Sequence, residues 1–299
     1  TDRWVVVRRI AGRELAGLRY RRPLDWVPYG SGEHEVIVAE SFVSADDGSG
    51  IVHMAPAFGA DDYAAGQRPG LAFLQPVNLR GEFPTDMPLV GGMFVKRADP
   101  VIIEELGRRG VLWQAGTVEH SYPHCWRCGT PLLYYARESW FIRTTAFRDA
   151  MLARNARVDW HPPEVGQGRF GEWLENNIDW ALSRDRYWGT PLPVWVCDGD
   201  ASHVTAIGSY AELARRLGKP LPAGFDPHKP YVDRYEFACD RCPGTMRRVP
   251  EVIDTWFDSG SMPFAQWHFP FANADVMARQ YPADFIAEGV DQTRGWFYS

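Results

Sequence analysis

The sequence predicts an α/β fold in more than one domain, on three observations. Short apolar runs bounded by Gly, Pro and Asp fill the first third of the chain. Capped amphipathic helices interrupt them. Two Cys-x-x-Cys pairs mark a region of different composition further along. The length of 299 residues, 45% of them hydrophobic, suffices for about two cores.

The elements follow in order. WVVV (4–7), EVIVAE (35–40) and GIVHM (50–54) read as strands, being β-branched and flanked by turn residues. DPVIIEELGRRG reads as a helix with Asp99 as cap, Pro100 at the first helical position and Gly110 as stop. Residues 1–118 thus form a β-rich domain with a few helices. Residues 119–196 hold the first Cys-x-x-Cys, a strand-like LLYY (132–135), and helices expected from Thr145 to Arg157 and from Gly168 to about Leu182. Residues 197–250 are polar, rich in Pro and Gly, and read as an insertion with one helix, SYAELARRLG. From 251 to 299 two further strands are expected, VIDTWF (252–257) and ADFIAEG (283–289).

Composition narrows the function. Charged residues make up 23%, so the chain is not disordered by composition. The net charge of −6 argues against a uniformly basic nucleic-acid surface; RYRR (19–22) is either a local basic contact or a solvated face. No apolar run approaches the roughly 18 residues that span a bilayer, so no membrane partner is expected. Thirteen tryptophans suggest aromatic cleft walls as well as core packing. Four of the five cysteines sit in pairs, which suits metal binding in a reducing, cytoplasmic setting better than disulfides. The first residue is not Met and the last five are GWFYS, so the chain reads as an internal piece of a longer protein.

Cys125-Trp-Arg-Cys128 and Cys239-Asp-Arg-Cys242 have the spacing of zinc knuckles, in which two thiolates face one tetrahedral Zn²⁺ and the turn donates amide N–H groups to sulfur. Two arrangements are open. The pairs join in one Cys₄ site, or Cys197 joins Cys239 and Cys242 with His203 or Asp200 as fourth ligand. Either fills four positions with protein ligands, so the role is structural.

Four segments, in order, carry a resemblance: GSGIVHMAPAFGADDY (48–63), WALSRDRYWGTPLPVW (180–195), DTWFDSGSMPFAQ (254–266) and EGVDQTRGWFYS (288–299). Together with SYPHCWRCGTPLLYYARESWFIRTT (121–145) they resemble the isoleucyl-tRNA synthetases, which are class I aminoacyl-tRNA synthetases. The resemblance implies part of a Rossmann-type catalytic domain, with an inserted β-rich editing domain and a zinc-binding insertion. It places residues 1–118 in the editing domain and 119–196 in the return to the catalytic domain. Residues 197–250 fall in the zinc insertion and 251–299 in the second half of the Rossmann-type fold, whose ligands bind at the carboxyl ends of its strands.

The activity implied is ATP-dependent activation of isoleucine, its transfer to tRNA(Ile), and hydrolytic editing of Val-tRNA(Ile). Editing is needed because isoleucine and valine differ by one methylene, which isoleucine enzymes themselves show to be worth about 1–3 kcal/mol in an apolar pocket. By the resemblance Asp62 binds the α-ammonium of the misacylated residue, and His53 lines the same pocket and positions the ester or the attacking water. Gly48 and Gly50 let the backbone pass close to substrate. Taken alone, the two residues also suit a helix-capping aspartate and a hydrogen-bonded strand histidine. In the synthetic site Glu288, Gly289, Asp291 and Gln292 contact the aminoacyl-adenylate, and Trp256 and Trp296 form walls of the isoleucine pocket. Arg184 and Arg186 contact tRNA phosphate or stabilise an interdomain joint. Zn²⁺, and ATP with Mg²⁺, are the implied metal and substrates; tRNA(Ile), isoleucine and ATP are the implied partners of a monomeric full-length enzyme.

The resemblance has gaps. No HIGH-type or KMSKS-type motif lies in the 299 residues, and CDGDASH holds one cysteine where some relatives have two. The valyl or leucyl enzymes, a freestanding hydrolase of misacylated tRNA, and a zinc-ribbon binding module are the rival readings; the adenylate-type segment at 288–299 weighs against the hydrolase.

Overall fold

A computed structural model describes residues 5–28, 35–39, 41–44, 46, 49–67 and 71–299. The chain divides into two compact units, Thr1–Arg137 and Glu138–Ser299. Trp4, Glu40 and Gly48, which enter the expectations above, lie outside the described residues.

In the first unit the expected strands do not form among the described residues. Val5, Val6 and Val7 are 79%, 69% and 93% exposed, and residues 35–39 make one isolated bridge, Arg19 to Glu35. A β-branched run becomes a strand only when a neighbouring edge completes its ladder. The unit does hold helix α1 (Ala60–Gly66) and helix α2 (Val95–Arg108). The start of α2 differs from the expectation: its cap is Phe94, and Asp99 and Pro100 lie inside the helix. Phe94 is bridged to Glu82, and Val95 N donates to Gly81 O at 2.9 Å, so a strand-like contact hands directly into the helix. Gly110 ends it at φ +70, as expected. LLYY makes no ladder, yet it packs. Ala136 N donates to Ala57 O at 2.9 Å, Tyr135 Oη to Val77 O at 2.9 Å, and Leu133 fills the space a Cβ on Gly81 would need.

Buried Glu105, on α2, anchors this unit electrostatically. Arg108 Nε reaches its Oε2 at 2.6 Å and Arg109 Nε its Oε1 at 2.7 Å. The Arg108 guanidinium, then that of Arg109, hold the Glu105 carboxyl down at about 2 from its ordinary 4.5.

The second unit begins with strand β1 (Phe141–Ile142), a 3₁₀ turn at Thr144–Phe147, and helix α3 (Arg148–Asn155). The long helix expected to Leu182 is instead a π turn at Gly166–Phe170 and the short helix α4 (Gly171–Glu175). Gly166, Gly168 and Gly171 weaken helix propensity there. Asn155 Nδ2 also takes Gly166 O at 2.7 Å, outside the helical ladder. Strand β2 (Trp180–Ala181) then pairs antiparallel with β1, and strand β3 (Ser183–Arg184) pairs antiparallel with strand β8 (Val252–Ile253). Between β3 and β8 the chain builds a four-stranded antiparallel sheet. Its members are β4 (Val194–Cys197), β5 (Val204–Ala206), β6 (Phe237–Ala238) and β7 (Thr245–Arg248), in spatial order β5-β4-β7-β6. Helix α5 (Tyr210–Leu217) joins β5 to β6 as the sequence predicts, capped by Ser209 and stopped by Gly218 at φ +66.

The sheet separates two apolar clusters because alternate residues of β4 point opposite ways. Trp195 and Cys197 face Ile207, Leu213, Val232, Phe237 and Met246. Val194 and Val196 face Leu182, Leu192, Val249 and Ile253. Buried Arg248 fastens the base, donating to Leu192 O, Glu251 O and Asp233.

VIDTWF is a strand only at Val252–Ile253. Asp254 caps helix α6 (Thr255–Ala265), accepting from Trp256 N at 3.2 Å. Helix α7 (Ala274–Gln280) follows. ADFIAEG forms no strand, with Phe285 81% exposed, and the chain ends on a 3₁₀ turn at Val290–Arg294 and a short tail.

Because the folded pKa of Glu105 is depressed, its contribution is present above about pH 4.5 and is lost as pH falls toward 2. Glu105→Gln therefore lowers Tm by a constant amount above pH 5. The difference from wild type narrows below pH 4.5, as circular dichroism melts over a pH series will record.

Candidate functional site

Three sets of residues carry chemistry. The first is built on α6 and the turn at 290–294. Thr293 is fully buried, donates from Oγ1 to Val290 O at 2.6 Å and accepts from Arg169 Nε at 2.9 Å. Arg169 sits on the π turn, so that irregularity aims a cation at the turn. Arg294 lies over the Trp173 ring at 4.2 Å, Tyr298 Oη donates to Asn177 Oδ1 at 3.2 Å, and Phe297 meets Trp160 edge-on.

This docking brings Trp296 and Trp256 onto the same helix. Trp296 Nε1 donates to Ser259 O at 3.0 Å, one turn along α6 from the cap. The Trp256 ring lies against Gly295, where an added Cβ would sit 3.1 Å from it. Gly260 allows the closest approach, since a Cβ there would collide with the Ser299 backbone. Trp256 is 45% exposed and so presents an open face.

Of the polar residues expected here, Glu288, Gly289 and Asp291 are exposed and Gln292 is half-buried. Gln292 is engaged on both sides: Nε2 donates to Asp291 Oδ2 at 3.1 Å and Oε1 accepts from Trp296 N at 3.2 Å. Asp291 leans over Gly289, where its Oδ1 would stand 2.4 Å from an added Cβ. The segment leading in is irregular rather than a strand.

The second set is a metal-ligand cluster. One ligand atom each from Cys197, His203, Cys239 and Cys242 lie within 4.8 Å of one another. Cys197 and Cys242 Sγ are 3.3 Å apart, and Cys239 Sγ is 3.4 Å from His203 Nδ1. Among the described residues no other such group of three or more forms, so within the second unit the structure gathers the second of the two arrangements. Asp200 is not in the ligand set. It stands 3.4 Å from His203 Nε2, where it orients the ring.

Sheet geometry makes the cluster. Cys197 ends β4, paired with Met246 on β7, and Cys239 N donates to Gly244 O across the tight hairpin from β6. The turn at Asp200–His203 folds His203 back, its carbonyl accepting from Cys197 N at 3.0 Å. Gly199 N and Arg241 N donate to the sulfurs of Cys197 and Cys239, both at 3.4 Å. A Cβ on Gly244 would stand 2.5 Å from Cys197 Sγ, so the cradle admits glycine alone. The Arg241 amide, foremost, pulls the Cys239 thiol down to about 7, against desolvation. Cys242 is pushed up to about 11: the Gly244 amide pulls it down, and the neighbouring Cys197 thiol, burial and Cys239 outweigh it. The four donors fit a tetrahedral, thiolate-rich metal site in kind and spacing. The Cys125–Cys128 knuckle forms its own turn, with Gly129 N donating to Cys125 O at 2.8 Å. The Thr130 hydroxyl, at 3.0 Å, is the main influence lowering the Cys128 thiol.

The third set is the 49–63 stretch. Asp62 lies in the first turn of α1, and its Oδ2 accepts from Ala55 N at 2.9 Å, tying the loop to the helix. Gly50 has φ +69. His53 is exposed, and among the described residues no hydrogen bond joins it to Asp62.

Sequence reasoning missed Asp254, Thr293 and Arg169. The first reads as a strand residue in VIDTWF, and the other two act across 124 residues of sequence. Arg184 makes internal bonds: Nη2 donates to Asp254 Oδ2 at 2.6 Å and Nη1 to Ala181 O at 2.6 Å.

Comparison with known proteins agrees in family. The model for "tRNA synthetases class I (I, L, M and V)" matches residues 16–299. The chain is 51% identical over 290 residues to an isoleucine–tRNA ligase of Streptomyces avermitilis, covering 96% of this chain and 27% of that protein. An isoleucine–tRNA ligase of Bacillus thuringiensis is 51% identical over 288 residues, covering 96% of this chain and 28% of its own. One of Thermus thermophilus is 50% identical over 294 residues, covering 98% and 28%. The chain therefore spans little more than a quarter of the length of these relatives. A LeuRS–tRNA–LeuAMS complex of Agrobacterium radiobacter K84 aligns over 55% of this chain and 20% of its own at TM-score 0.28 and 19% identity, too low to inform the fold. No helix among the described residues is long and apolar enough to cross a membrane.

Thr293→Val keeps the shape of the buried side chain and removes its hydroxyl. Arg169 Nε and Val290 O lose a part-buried hydrogen bond, so the variant loses about 1 kcal/mol of stability in urea unfolding, while Thr293→Ser loses less.

Proposed function

The chain belongs to the class I tRNA synthetase family (I, L, M and V), and on that premise we propose that it is part of an isoleucine–tRNA ligase. The intact enzyme activates isoleucine with ATP and Mg²⁺, transfers it to tRNA(Ile), and clears Val-tRNA(Ile) by hydrolysis. It works as a cytoplasmic monomer. Residues 1–118 belong to the inserted editing domain, 119–196 return to the catalytic domain, 197–250 form the zinc insertion, and 251–299 belong to the Rossmann-type half.

One observation carries the reading: two indoles distant in sequence, Trp256 and Trp296, are held on one helix beside a polar turn. Two flat aromatic faces suit a branched aliphatic side chain and exclude water from it. Glu288, Gly289 and Asp291, exposed at the turn, contact the aminoacyl-adenylate together with Gln292. Gln292, fixed by its two neighbours, holds Asp291 and the Trp296 backbone in place. The steps are positioning and charge stabilisation during attack of the isoleucine carboxylate on the α-phosphate. Asp62, at the start of α1, binds the ammonium of a misattached valine, while His53 orients the ester or water.

Zn²⁺ is the metal proposed for Cys197, His203, Cys239 and Cys242, and when bound it supplies a structural cross-link among β4, its following turn and the β6–β7 hairpin. Cys125 and Cys128 take ligands from beyond the described residues.

Three measurements test the reading. ATP–pyrophosphate exchange by the intact enzyme depends on isoleucine, and this chain alone gives no isoleucine-dependent exchange; an intact enzyme indifferent to isoleucine would refute the assignment. Asp62→Ala in the intact enzyme slows deacylation of Val-tRNA(Ile) by about tenfold or more, with exchange retained. Cys242→Ser lowers the bound zinc per chain by elemental analysis and lowers Tm; equal zinc in variant and wild type would remove the metal assignment.

A further inference from the structure

We propose that Asp254 is a positioning residue that fixes both tryptophan walls of the amino-acid pocket, and that its pairing with Arg184 sets how sharply the pocket discriminates between aliphatic side chains. This rests on the reading of residues 254–299 as that pocket.

Asp254 is 6% exposed, and three donors converge on its carboxylate. Arg184 Nη2, on β3, reaches Oδ2 at 2.6 Å; Trp180 Nε1, on β2, reaches Oδ2 at 3.1 Å; Trp256 N, in the first turn of α6, reaches Oδ1 at 3.2 Å. Its own backbone N donates to Leu182 O at 2.8 Å. Main chain and side chain are thus both pinned to residues 180–184. The negative charge also sits where a helix N-terminus favours it.

The walls inherit this fixing. Trp256 is the second residue of α6, and its backbone N–H is the one the cap accepts. Trp296 takes its orientation from Ser259 O on the same helix. Trp180, while donating to Asp254, lies beside Phe257, with ring centroids 6.4 Å apart. A second strut runs from Thr190 Oγ1 to Asp258 Oδ2 at 2.9 Å. A shift of α6 against β3 therefore moves both indoles together. A pocket that separates side chains differing by one methylene tolerates little of that, since sub-ångström placement controls selectivity.

Arg184 is itself held rigid, its Nη1 donating to Ala181 O and Ser183 O at 2.6 and 3.0 Å. A planar fork with fixed donors orients a carboxylate as a flexible ammonium does not. Removing Arg184 leaves the buried Asp254 charge without its cation.

The test is made on the intact enzyme by ATP–pyrophosphate exchange. Asp254→Asn keeps one oxygen for the cap, loses the charge, and sets an NH2 donor against the Arg184 and Trp180 donors. It is expected to raise KM for isoleucine about tenfold, with KM for ATP within about twofold, and to lower the isoleucine-over-valine ratio of kcat/KM. Arg184→Gln gives the same pattern, Arg184→Lys a smaller one, and the double variant is no worse than either single change. If Asp254→Asn does not fold, Arg184→Gln decides by the same measurement. Unchanged isoleucine KM and unchanged discrimination, with only Tm lowered, would overturn the proposal by reducing Asp254 to a structural role. Should the wild type exchange pyrophosphate with another amino acid and not isoleucine, the functional reading fails instead. The same KM comparison on that amino acid then decides about Asp254.

Discussion

The second unit depends on one junction, the short antiparallel pair β3–β8 and the buried carboxylate that follows it. Ser183 faces Ile253 and Arg184 faces Val252, and two residues of ladder alone would be marginal. The ion pair from Arg184, the indole N–H of Trp180 and the backbone bond from Asp254 to Leu182 make the junction rigid. The chain leaves it at β3, builds the whole four-stranded sheet, and returns at β8. Everything on α6 and the terminal turn then takes its position from that closed base.

The same closure explains why a small four-stranded sheet can be well packed. The sheet has apolar residues on both faces, one against Trp195, Leu213 and Phe237, the other continuous with Leu182 and Leu192 at the base. The ligand cluster lies at the far ends of β4 and of the β6–β7 hairpin, away from the junction. A cluster of four metal-ligand side chains at one end and a salt-bridged stem at the other divide the work. Neither end needs a large core, which suits a module of this size.

Local signals in the sequence were read well where the physics is local. The helix read at SYAELARRLG forms as α5, and the structure shows its ends set by local groups, the Ser209 hydroxyl and Gly218 at positive φ. Cys-x-x-Cys spacing marked a knuckle because two residues of turn suffice to face two sulfurs together. Strand expectations fared worse. Valines 5–7 and the ADFIAEG run have the right side chains, but a strand exists only where another edge completes its hydrogen bonds. VIDTWF failed for a different reason: Asp254 can end a strand or cap a helix, and its neighbours in space chose the cap.

By itself the sequence determined the family, through motifs whose order and spacing belong to class I tRNA synthetases, and it determined which residue types could ligate a metal or wall a pocket. Tertiary structure alone decided which of them meet. It selected His203 over Asp200 as the fourth member of the cysteine cluster, because a tight turn folds the imidazole against Cys239 while the carboxylate backs it. It also turned Arg184 inward onto Asp254, separated from it by 70 residues of chain. Such pairings depend on distances through space that chain closure sets, and no periodicity or propensity along the sequence encodes them.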